Sequence, residues 1–263
     1  MDKRIVSEIW IYPVKSLGGI RLDTSTVLPK GLEHDRRWML IDENNTCMTQ
    51  REYPKMALFK LQWQDGKFLI SYSGQVMELP FINAGENRQA VIWNDTVEVV
   101  EVNRQLSDWI AGLLGTKCRL VAFPEKNVRP VDAQYAAKNE QVSLADGYPL
   151  LIIGQSSLDD LNKRLKVPLP MNRFRPNIVF TGGDAFEEDG WKNFRIGETR
   201  FAAVKPCARC VMTTVDQYTA EKGKEPLLTL ASYRKRGNNI YFGQNLLPLD
   251  GHEIKTGDEI ILE

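Results

Sequence analysis

Short β-forming segments separated by tight turns follow one another through the first hundred residues, and this pattern constrains the fold more than any other feature. Strands are predicted over residues 3–14, 20–28 and 37–42, and further strands are separated by Asp65-Gly66 and by Gly74. Runs of β-branched and aromatic residues between Gly, Pro, Asn and Asp are typical of strands. Short strands at this spacing indicate a small antiparallel barrel or sandwich.

Helical patterns arrive later in the chain. Apolar residues at a helical spacing predict a helix over 105–114 with Gly115 as its C-cap. Ser156 and Ser157 are candidate N-caps of a second helix, and Pro226 lies in the first turn of a short third one. A polar loop that lies over the surface or over a site is predicted at 124–140, and strands are predicted again at 120–123, 150–153, 178–181, 240–243 and 259–262. The expected fold class is therefore α+β, mostly β with a few peripheral helices.

Composition sets limits on function. Lys plus Arg and Asp plus Glu both number 34, so the formal net charge is zero and no global charge favours nucleic acid or an anionic membrane. Four scattered cysteines do not make a disulfide framework and fit a reducing cytoplasm. Because no long apolar run or leader-like segment occurs, we expect a cytoplasmic protein with no membrane segment and no nucleic-acid partner.

The segment 205–216 contains the most informative pair of residues, Cys207 and Cys210. The residues after Cys210 are β-branched or apolar, which predicts that the segment is a strand. Side chains alternate between faces along a strand, so two cysteines three positions apart would point in opposite directions. A shared zinc ion or a local disulfide is then unfavourable, whereas one sulfur at a pocket and one packed behind it is compatible. The spacing alone leaves open which sulfur faces the pocket.

Other chemistries for the cysteines have less support. A thioredoxin-type redox pair is expected at the start of a helix. The only two histidines, His34 and His252, are far apart, which disfavours a Cys/His zinc cluster or a Cys–His nucleophile. No Gly-x-Gly-x-x-Gly or Gly-x-x-x-x-Gly-Lys-Ser/Thr motif is present, so neither a Rossmann nor a P-loop nucleotide site is predicted. A buried cysteine can also be simply a small apolar residue.

Four groups of polar residues lie beside predicted turns, where ligand contacts commonly collect. Cations suit a phosphate, Asn side chains suit a heterocycle, and a thiolate among them suits a soft or redox-active metal. A solvated surface charge is the alternative for Lys15 or Arg51 in isolation, and a structural ion pair is the alternative for Arg173 or Arg175. The groups are Lys15-Ser16, Asp35-Arg36-Arg37 with Thr49-Gln50-Arg51, residues 172–177, and Ala208-Arg209-Cys210 with Gln244-Asn245.

Taken in order, the motifs resemble the MOSC superfamily, and in particular the mitochondrial amidoxime-reducing components and their bacterial relatives. The resemblance covers nearly the whole chain and implies an N-terminal MOSC β-barrel domain over 1–122 and a MOSC domain over 123–263. The motifs that carry it are Tyr12-Pro13-Val14-Lys15-Ser16, Asp35-Arg36-Arg37-Trp38, Asn172-Arg173-Phe174-Arg175-Pro176-Asn177, Cys207-Ala208-Arg209-Cys210 with Thr213-Thr214-Val215-Asp216, and Phe242-Gly243-Gln244.

The resemblance implies a molybdenum cofactor, a molybdopterin whose metal is also bound by one cysteine of the protein. The family pattern places that metal ligand, and the catalytic role, at Cys210 and leaves Cys207 as a packed or supporting thiol. This chain has Asp146-Gly147 where relatives carry small hydroxyl residues, and Asn245 where a relative has an aromatic residue. The implied cofactor-binding residues are Lys15, Ser16, Arg36, Asp146, Gly147, Arg175, Asn177, Ala208, Arg209 and Asn245.

The reaction implied by the resemblance is the two-electron reduction of N-hydroxylated compounds such as hydroxylamines, amidoximes or N-hydroxylated bases. The cysteines of the [2Fe–2S] domain found in some bacterial relatives are absent, as is the membrane anchor of the mitochondrial proteins. Electrons are therefore expected from a separate ferredoxin, flavodoxin or cytochrome b5-like protein. One alternative is a carrier of the cofactor or of sulfur, as implied by the MOSC domains of molybdenum-cofactor sulfurases. The other is a β-rich domain with no cofactor.

Overall fold

The structure is a computed structural model that describes residues 3–81, 85–135 and 140–263. Its α-helices are α1 (Arg104–Leu114), α2 (Gln155–Arg164) and α3 (Leu227–Ala231), and short 3-10 helices cover Pro54–Leu58, Met171–Arg173, Glu187–Gly190 and Val211–Thr214. The strands are β1 (Arg4–Ile11), β2 (Ile20–Leu22), β3 (Thr24–Leu28), β4 (Gly31–Leu32), β5 (Trp38–Ile41), β6 (Lys60–Gln64), β7 (Lys67–Tyr72), β8 (Gln75–Leu79), β9 (Asn87–Ile92), β10 (Asp95–Glu101), β11 (Arg119–Ala122), β12 (Leu150–Gly154), β13 (Ile178–Thr181), β14 (Asn193–Ile196), β15 (Thr199–Ala208), β16 (Lys235–Arg236), β17 (Asn239–Pro248), β18 (Glu253–Lys255) and β19 (Glu259–Leu262).

Seven strands form a closed barrel. Their order is β12-β13-β1-β19-β14-β15-β17, and β17 pairs with β12 to complete the ring. Only β12 and β13 are parallel, and each of the other neighbours in the ring is antiparallel. Phe180, Phe194 and Phe201 are fully buried in the core that these strands share with the first half of the chain. Closure leaves no free edge in this ring, which protects its backbone hydrogen bonds.

Smaller antiparallel sheets form the rest of the first half of the chain. One runs β5-β11-β10-β9, another β6-β7-β8, and a third β18-β3-β4. The prediction of a mostly β, α+β fold with a small N-terminal β-unit beside a β-barrel is confirmed. β1 belongs to the large barrel, and β3 pairs with β18, so strands from the start of the chain complete sheets of its second half. The domain boundary at residue 122 stays a prediction.

Local sequence signals predicted the C-cap of α1 correctly but not the N-cap of α2. α1 ends at Gly115, whose φ of 71° makes it the predicted left-handed C-cap. The predicted serine N-caps of α2 are wrong, because that helix begins at Gln155 with Gly154 as its N-cap. The hydroxyl of Ser157 instead donates to the buried Glu188, and that of Ser156 donates to the carbonyl of Gly183. No helix among the described residues is long and apolar enough to cross a membrane.

The prediction that the strand continues past Cys210 is also wrong. β15 ends at Ala208, and Val211–Thr214 is a 3-10 helix. The hydroxyl of Thr213 donates to the carbonyl of Cys210 at 3.0 Å, and that of Thr214 donates to the carbonyl of Val211 at 2.8 Å. Such local side-chain bonds compete with a strand ladder. Two smaller differences are that the predicted strand 20–28 is divided at Asp23, and that residues 136–139 of the predicted loop lie outside the described residues.

Candidate functional site

A cavity of about 270 Å³ lies where loops from both halves of the chain meet β12, β15 and β17. It is lined by every one of the ten residues predicted to bind the cofactor: Lys15, Ser16, Arg36, Asp146, Gly147, Arg175, Asn177, Ala208, Arg209 and Asn245. Cys207 lines it as well, whereas Cys210 lies between the lining residues Arg209 and Met212 without being one of them. The structure thus brings the predicted residues together, and their role as cofactor contacts stays a prediction.

Two arginines stack on one tyrosine at the cavity. The guanidinium carbon of Arg36 lies 4.3 Å from the ring centre of Tyr12, and that of Arg175 lies 4.2 Å from it. The tyrosine hydroxyl donates to the carbonyl of Pro176 at 3.0 Å, and burial raises the pKa of Tyr12 to about 12. The neutral ring therefore holds two positive charges close together through cation–π contacts.

A buried carboxylate and an amide fix the position of Arg36. Asp35 is fully buried and accepts from the Arg36 Nη1 at 2.6 Å and from the backbone N–H of Tyr12 at 2.7 Å. The Asn177 Oδ1 accepts from the same Nη1 at 3.1 Å and from the backbone N–H of Leu151 at 3.2 Å. Charge-assisted bonds of this kind hold the guanidinium in one orientation.

Arg175 carries part of its charge without a partner. Arg175 is 5% exposed, and its Nη2 is buried with no hydrogen-bond acceptor. Burial, with a further contribution from the Arg36 guanidinium, lowers the pKa of Arg175 to about 10. The Nε of Arg209 is a second buried guanidinium nitrogen with no acceptor. Buried donors are normally paired, so two such atoms at one cavity indicate a binding site for an anion.

The charge balance of the lining supports the same conclusion. Five cationic side chains line the cavity, and Asp146 is the one carboxylate among the described lining residues; the cations are Lys15, Arg36, Arg175, Lys205 and Arg209. A Cβ added to Gly147 would have no atom within 4 Å, so a ligand can approach the backbone closely at this position. A phosphate with an attached heterocycle fits a cavity with this charge and this access.

Asp146 connects the cavity to a second group of residues. Its Oδ1 accepts from Lys15 and, at 3.3 Å, from the Trp93 Nε1, and its Oδ2 lies 3.6 Å from the Arg51 Nη2. Partial desolvation opposes ionisation of this carboxyl, but the charges of Lys15 and Arg51 outweigh it and hold the pKa of Asp146 well below its ordinary value. The Arg51 guanidinium in turn lies 4.2 Å from the ring centre of Trp93.

Each cysteine of the pair has its own arginine. The Cys207 Sγ accepts from the Arg209 Nη1 at 2.9 Å, and the Cys210 Sγ accepts from the Arg51 Nε at 3.2 Å. Both are free thiols and both are partly exposed. Because Cys210 lies two residues beyond the end of β15, strand alternation does not fix the relative directions of the two sulfurs. Either sulfur is chemically suited to bind a soft metal ion.

Arg173 supports the segment that follows Cys210. Its guanidinium donates to the carbonyls of Thr213 and Thr214 at 3.0 and 2.9 Å and to the Asp216 Oδ2 at 3.0 Å. The structural ion pair considered for this motif is therefore made by Arg173, while Arg175 faces the cavity. The two arginines are both 5% exposed and differ in that one is paired and the other is not.

Sequence reasoning missed one contact and one residue of this region. Arg51 was grouped with Thr49 and Gln50 as a possible ligand contact, with a solvated charge as the alternative, but its contact with Cys210 was not predicted; only 20% of its side chain is exposed. Trp93 lies at the tip of the β9–β10 hairpin with a φ of 56° and was not singled out, because β9 itself was not predicted. A tryptophan inside a hairpin turn is an unusual choice and was the available signal.

Comparison with protein-family models identifies two matches that together span most of the chain. The MOSC N-terminal beta barrel domain matches residues 3–117, and the MOSC domain matches residues 139–261. The order of the two matches is the one predicted from the motifs.

Curated proteins similar to this chain are named for amidoxime reduction or for the molybdenum cofactor. Mitochondrial amidoxime reducing component 2 of Bos taurus is 34% identical over 87% of this chain and 72% of its own length. Mitochondrial amidoxime-reducing component 1 of Homo sapiens is 32% identical over 98% of this chain and 82% of its own length. Molybdenum cofactor sulfurase of Oryza sativa subsp. japonica is 30% identical over 90% of this chain, which spans 32% of that longer protein.

Proposed function

This chain belongs to the MOSC-domain family of the amidoxime-reducing components, and we propose that it is a molybdenum-cofactor-dependent reductase of N-hydroxylated compounds. In the proposed reaction the N–O bond of the substrate breaks, two electrons and two protons are taken up, and an amine or amidine and one water leave. The electrons come from a separate ferredoxin, flavodoxin or cytochrome b5-like donor.

The observation that carries the proposal is the cation-lined cavity with two buried guanidinium nitrogens that lack acceptors. An unpaired buried cation is costly to the protein, so its retention is best explained by a ligand that supplies the negative charge. The phosphate of a molybdopterin supplies that charge. The thiols of Cys207 and Cys210 beside the cavity supply the soft donor that the metal needs.

Each group of residues has a role in this proposal. Lys15, Arg36 and Arg175 hold the phosphate, Asn177 and Asn245 face the heterocycle, and Cys210 is the protein's ligand to the metal. When bound, the molybdenum cofactor would supply a metal centre that changes oxidation state by two electrons. Arg51 fixes the orientation of the Cys210 side chain through its 3.2 Å contact.

Metal content tests the assignment of the cysteines. The protein is purified from a host that makes molybdenum cofactor, and its molybdenum and pterin are measured in the wild type, Cys210→Ala and Cys207→Ala. We expect wild-type protein to hold both, Cys210→Ala to lose most of its molybdenum, and Cys207→Ala to keep it. Undiminished molybdenum in Cys210→Ala contradicts the ligand assignment, and wild-type protein without metal or pterin contradicts the proposal as a whole.

A second candidate is a carrier that holds the cofactor or sulfur without reducing anything. The 30% identity to molybdenum cofactor sulfurase over 90% of this chain favours it. Turnover separates the two functions. A reductase loaded with cofactor converts benzamidoxime or hydroxylamine with an artificial electron donor, whereas a carrier shows the same metal content and no turnover.

A further inference from the structure

Trp93 occupies an unusual position in the backbone. It is the first residue of the two-residue loop between β9 and β10, since Ile92 pairs with Asp95 across that loop. Its φ is 56°, a left-handed conformation that Gly, Asn or Asp usually supplies in such a loop. A bulky residue in this conformation is strained, and strain of this kind collects at functional positions. The indole is also 46% exposed, so burial in a core does not explain the choice of tryptophan.

The contacts of the indole are with charged residues at the cation-lined cavity or beside it. The guanidinium carbon of Arg51 lies 4.2 Å from the ring centre, and the Lys15 Nζ lies 5.9 Å from it. The Trp93 Nε1 donates to the Asp146 Oδ1 at 3.3 Å. One half-exposed side chain from a hairpin loop therefore contacts a carboxylate and two cations of this region.

The contact with Trp93 orients Arg51 more strongly than the ion pair with Asp146 does. The Asp146 Oδ2 lies 3.6 Å from the Arg51 Nη2, which is beyond hydrogen-bond distance, and the carboxylate side chain is 53% exposed. A planar guanidinium over an indole is instead confined to one side of the ring. In this position the Arg51 Nε donates to the Cys210 Sγ at 3.2 Å. The direction of that N–H group therefore depends on Trp93.

The hairpin is joined to the segment that carries Arg51. The backbone N–H of Cys47 donates to the carbonyl of Val91 at 2.9 Å, and the N–H of Val91 donates to the carbonyl of Asn45 at 2.8 Å. Arg51 follows four residues after Cys47, whereas Cys210 comes from the second half of the chain. The first half of the chain thus presents an oriented guanidinium to a sulfur of the second half.

We propose that Trp93 is a positioning residue for Cys210, because its indole holds the Arg51 guanidinium where the Nε donates to the sulfur. The inference rests on the proposed function for the role of Cys210 as the ligand to the metal. Groups that donate to a ligating atom orient it and stabilise the negative charge that it carries when it binds a metal ion. Trp93 acts on that atom through Arg51 and does not touch it.

The charge of Arg51 beside the sulfur can be measured without metal or turnover. Iodoacetate and iodoacetamide alkylate the same form of a cysteine, whose sulfur displaces iodide, so protonation of the sulfur cancels from the ratio of the two rate constants. A fixed cation raises this ratio, because only iodoacetate is negatively charged. After alkylation of cofactor-free protein, trypsin cleaves behind Arg209 and leaves Cys207 and Cys210 on separate peptides for mass spectrometry.

Four variants isolate the contribution of the ring. Trp93→Leu removes the aromatic contact, Trp93→Phe keeps a ring beside the guanidinium, and Arg51→Gln removes the charge. The matched control is Trp63→Leu, at a 44% exposed tryptophan of β6 that does not line the cavity. We expect the ratio at Cys210 to fall about threefold or more in Trp93→Leu and Arg51→Gln and to keep its wild-type value in Trp93→Phe and Trp63→Leu.

Cys207 is an internal control in every protein, because its partner is Arg209. Its ratio should not change in any of the four variants. The positioning role is wrong if Trp93→Leu keeps the wild-type ratio at Cys210, if Trp93→Phe loses as much as Trp93→Leu, or if Trp63→Leu or the Cys207 peptide shows the same loss.

Molybdenum content connects this role to the proposed function. In protein from a host that makes molybdenum cofactor, Trp93→Leu should hold about threefold less molybdenum than the wild type, and Trp93→Phe and Trp63→Leu should hold wild-type amounts. Undiminished molybdenum in Trp93→Leu overturns the positioning of a metal ligand. If the wild type holds no molybdenum, the proposed function is refuted, and the ratio at Cys210 still decides whether Trp93 holds Arg51 against the sulfur.

Discussion

Replacement of Arg175 by methionine should stabilise the cofactor-free protein and at the same time abolish its ability to retain cofactor. The pKa of Arg175, about 10 against 12.5 for a free guanidinium, corresponds to about 3.5 kcal/mol of unfavourable free energy at roughly 1.4 kcal/mol per pKa unit. The stack on Tyr12 offsets about 1 kcal/mol of this. We therefore expect Arg175→Met to raise the free energy of unfolding by about 2–3 kcal/mol, since the new side chain is apolar and similar in length.

The pH dependence of that gain follows from the sign of the shift. Because the folded state lowers the pKa of Arg175, the penalty is fully present below pH 10 and is relieved as the pH rises toward 12.5. The advantage of Arg175→Met over wild type should therefore be constant between pH 6 and pH 9. Urea unfolding of cofactor-free protein measures it, and pterin content of protein from a cofactor-producing host should fall at least tenfold.

Arg173→Met is the matched control, because Arg173 is equally buried but has partners. Its loss leaves the carbonyl of Thr213 without a donor, the carbonyl of Thr214 with only the backbone N–H of Gly223, and Asp216 without its cation, so we expect destabilisation by about 3 kcal/mol. Arg175→Lys keeps the charge and should gain no stability. If Arg175→Met loses as much stability as Arg173→Met, the argument that Arg175 is held at a cost for an anion is wrong.

Two further predictions concern the neighbours of these arginines. Asp146→Asn should lower the melting temperature of cofactor-free protein at pH 7. Because the pKa of Asp146 is lowered in the folded state, the difference in melting temperature from wild type should shrink as the pH falls from about 5 to 2. Differential scanning calorimetry measures this difference, and a constant value over that range contradicts the prediction. Tyr12→Phe should lower the free energy of unfolding by about 1 kcal/mol through the lost hydrogen bond to Pro176. Tyr12→Leu should lower it by roughly 1–3 kcal/mol more through the two lost cation–π contacts. Equal urea midpoints for the two variants would mean that the ring does not hold the arginines.

The composition of the site could be predicted from the sequence because its residues lie in short turn motifs. Lys15 and Ser16 follow β1, Arg36 precedes β5, and Arg175 precedes β13, so each motif is fixed by local chain geometry next to a strand that the pattern of apolar residues predicts. The closed barrel brings the ends of β1 and β13 together, and the bridge between Val14 and Trp38 joins the start of β5 to them. Gly115 was predictable for the same reason, since a left-handed C-cap is a local requirement.

The contacts that were missed depend on partners far away in the chain. Arg51 and Cys210 are 159 positions apart in the sequence, so no local sequence pattern predicts their 3.2 Å contact. Val211–Thr214 has the composition of a strand, but Arg173 binds the carbonyls of Thr213 and Thr214, which a strand would use in its ladder. Tertiary context overrode β-propensity there. The prediction of two oppositely facing cysteines therefore rested on a strand that in fact ends at Ala208, before Cys210.

Backbone strain at the cavity explains how the cations stay in place before a ligand arrives. Ser16, Arg36 and Arg175 all line the cavity with φ values of 64°, 49° and 54°, a left-handed conformation that costs an L-residue roughly 1–2 kcal/mol. In each case another residue binds the carbonyl: Gln50 donates to Ser16 at 2.7 Å, Leu144 to Arg36 at 3.0 Å, and Arg36 to Arg175 at 3.3 Å. Strain persists only where the surrounding fold fixes it. Because folding already orders these side chains, an anion that binds them loses little affinity to ordering, which is the advantage of a preformed site.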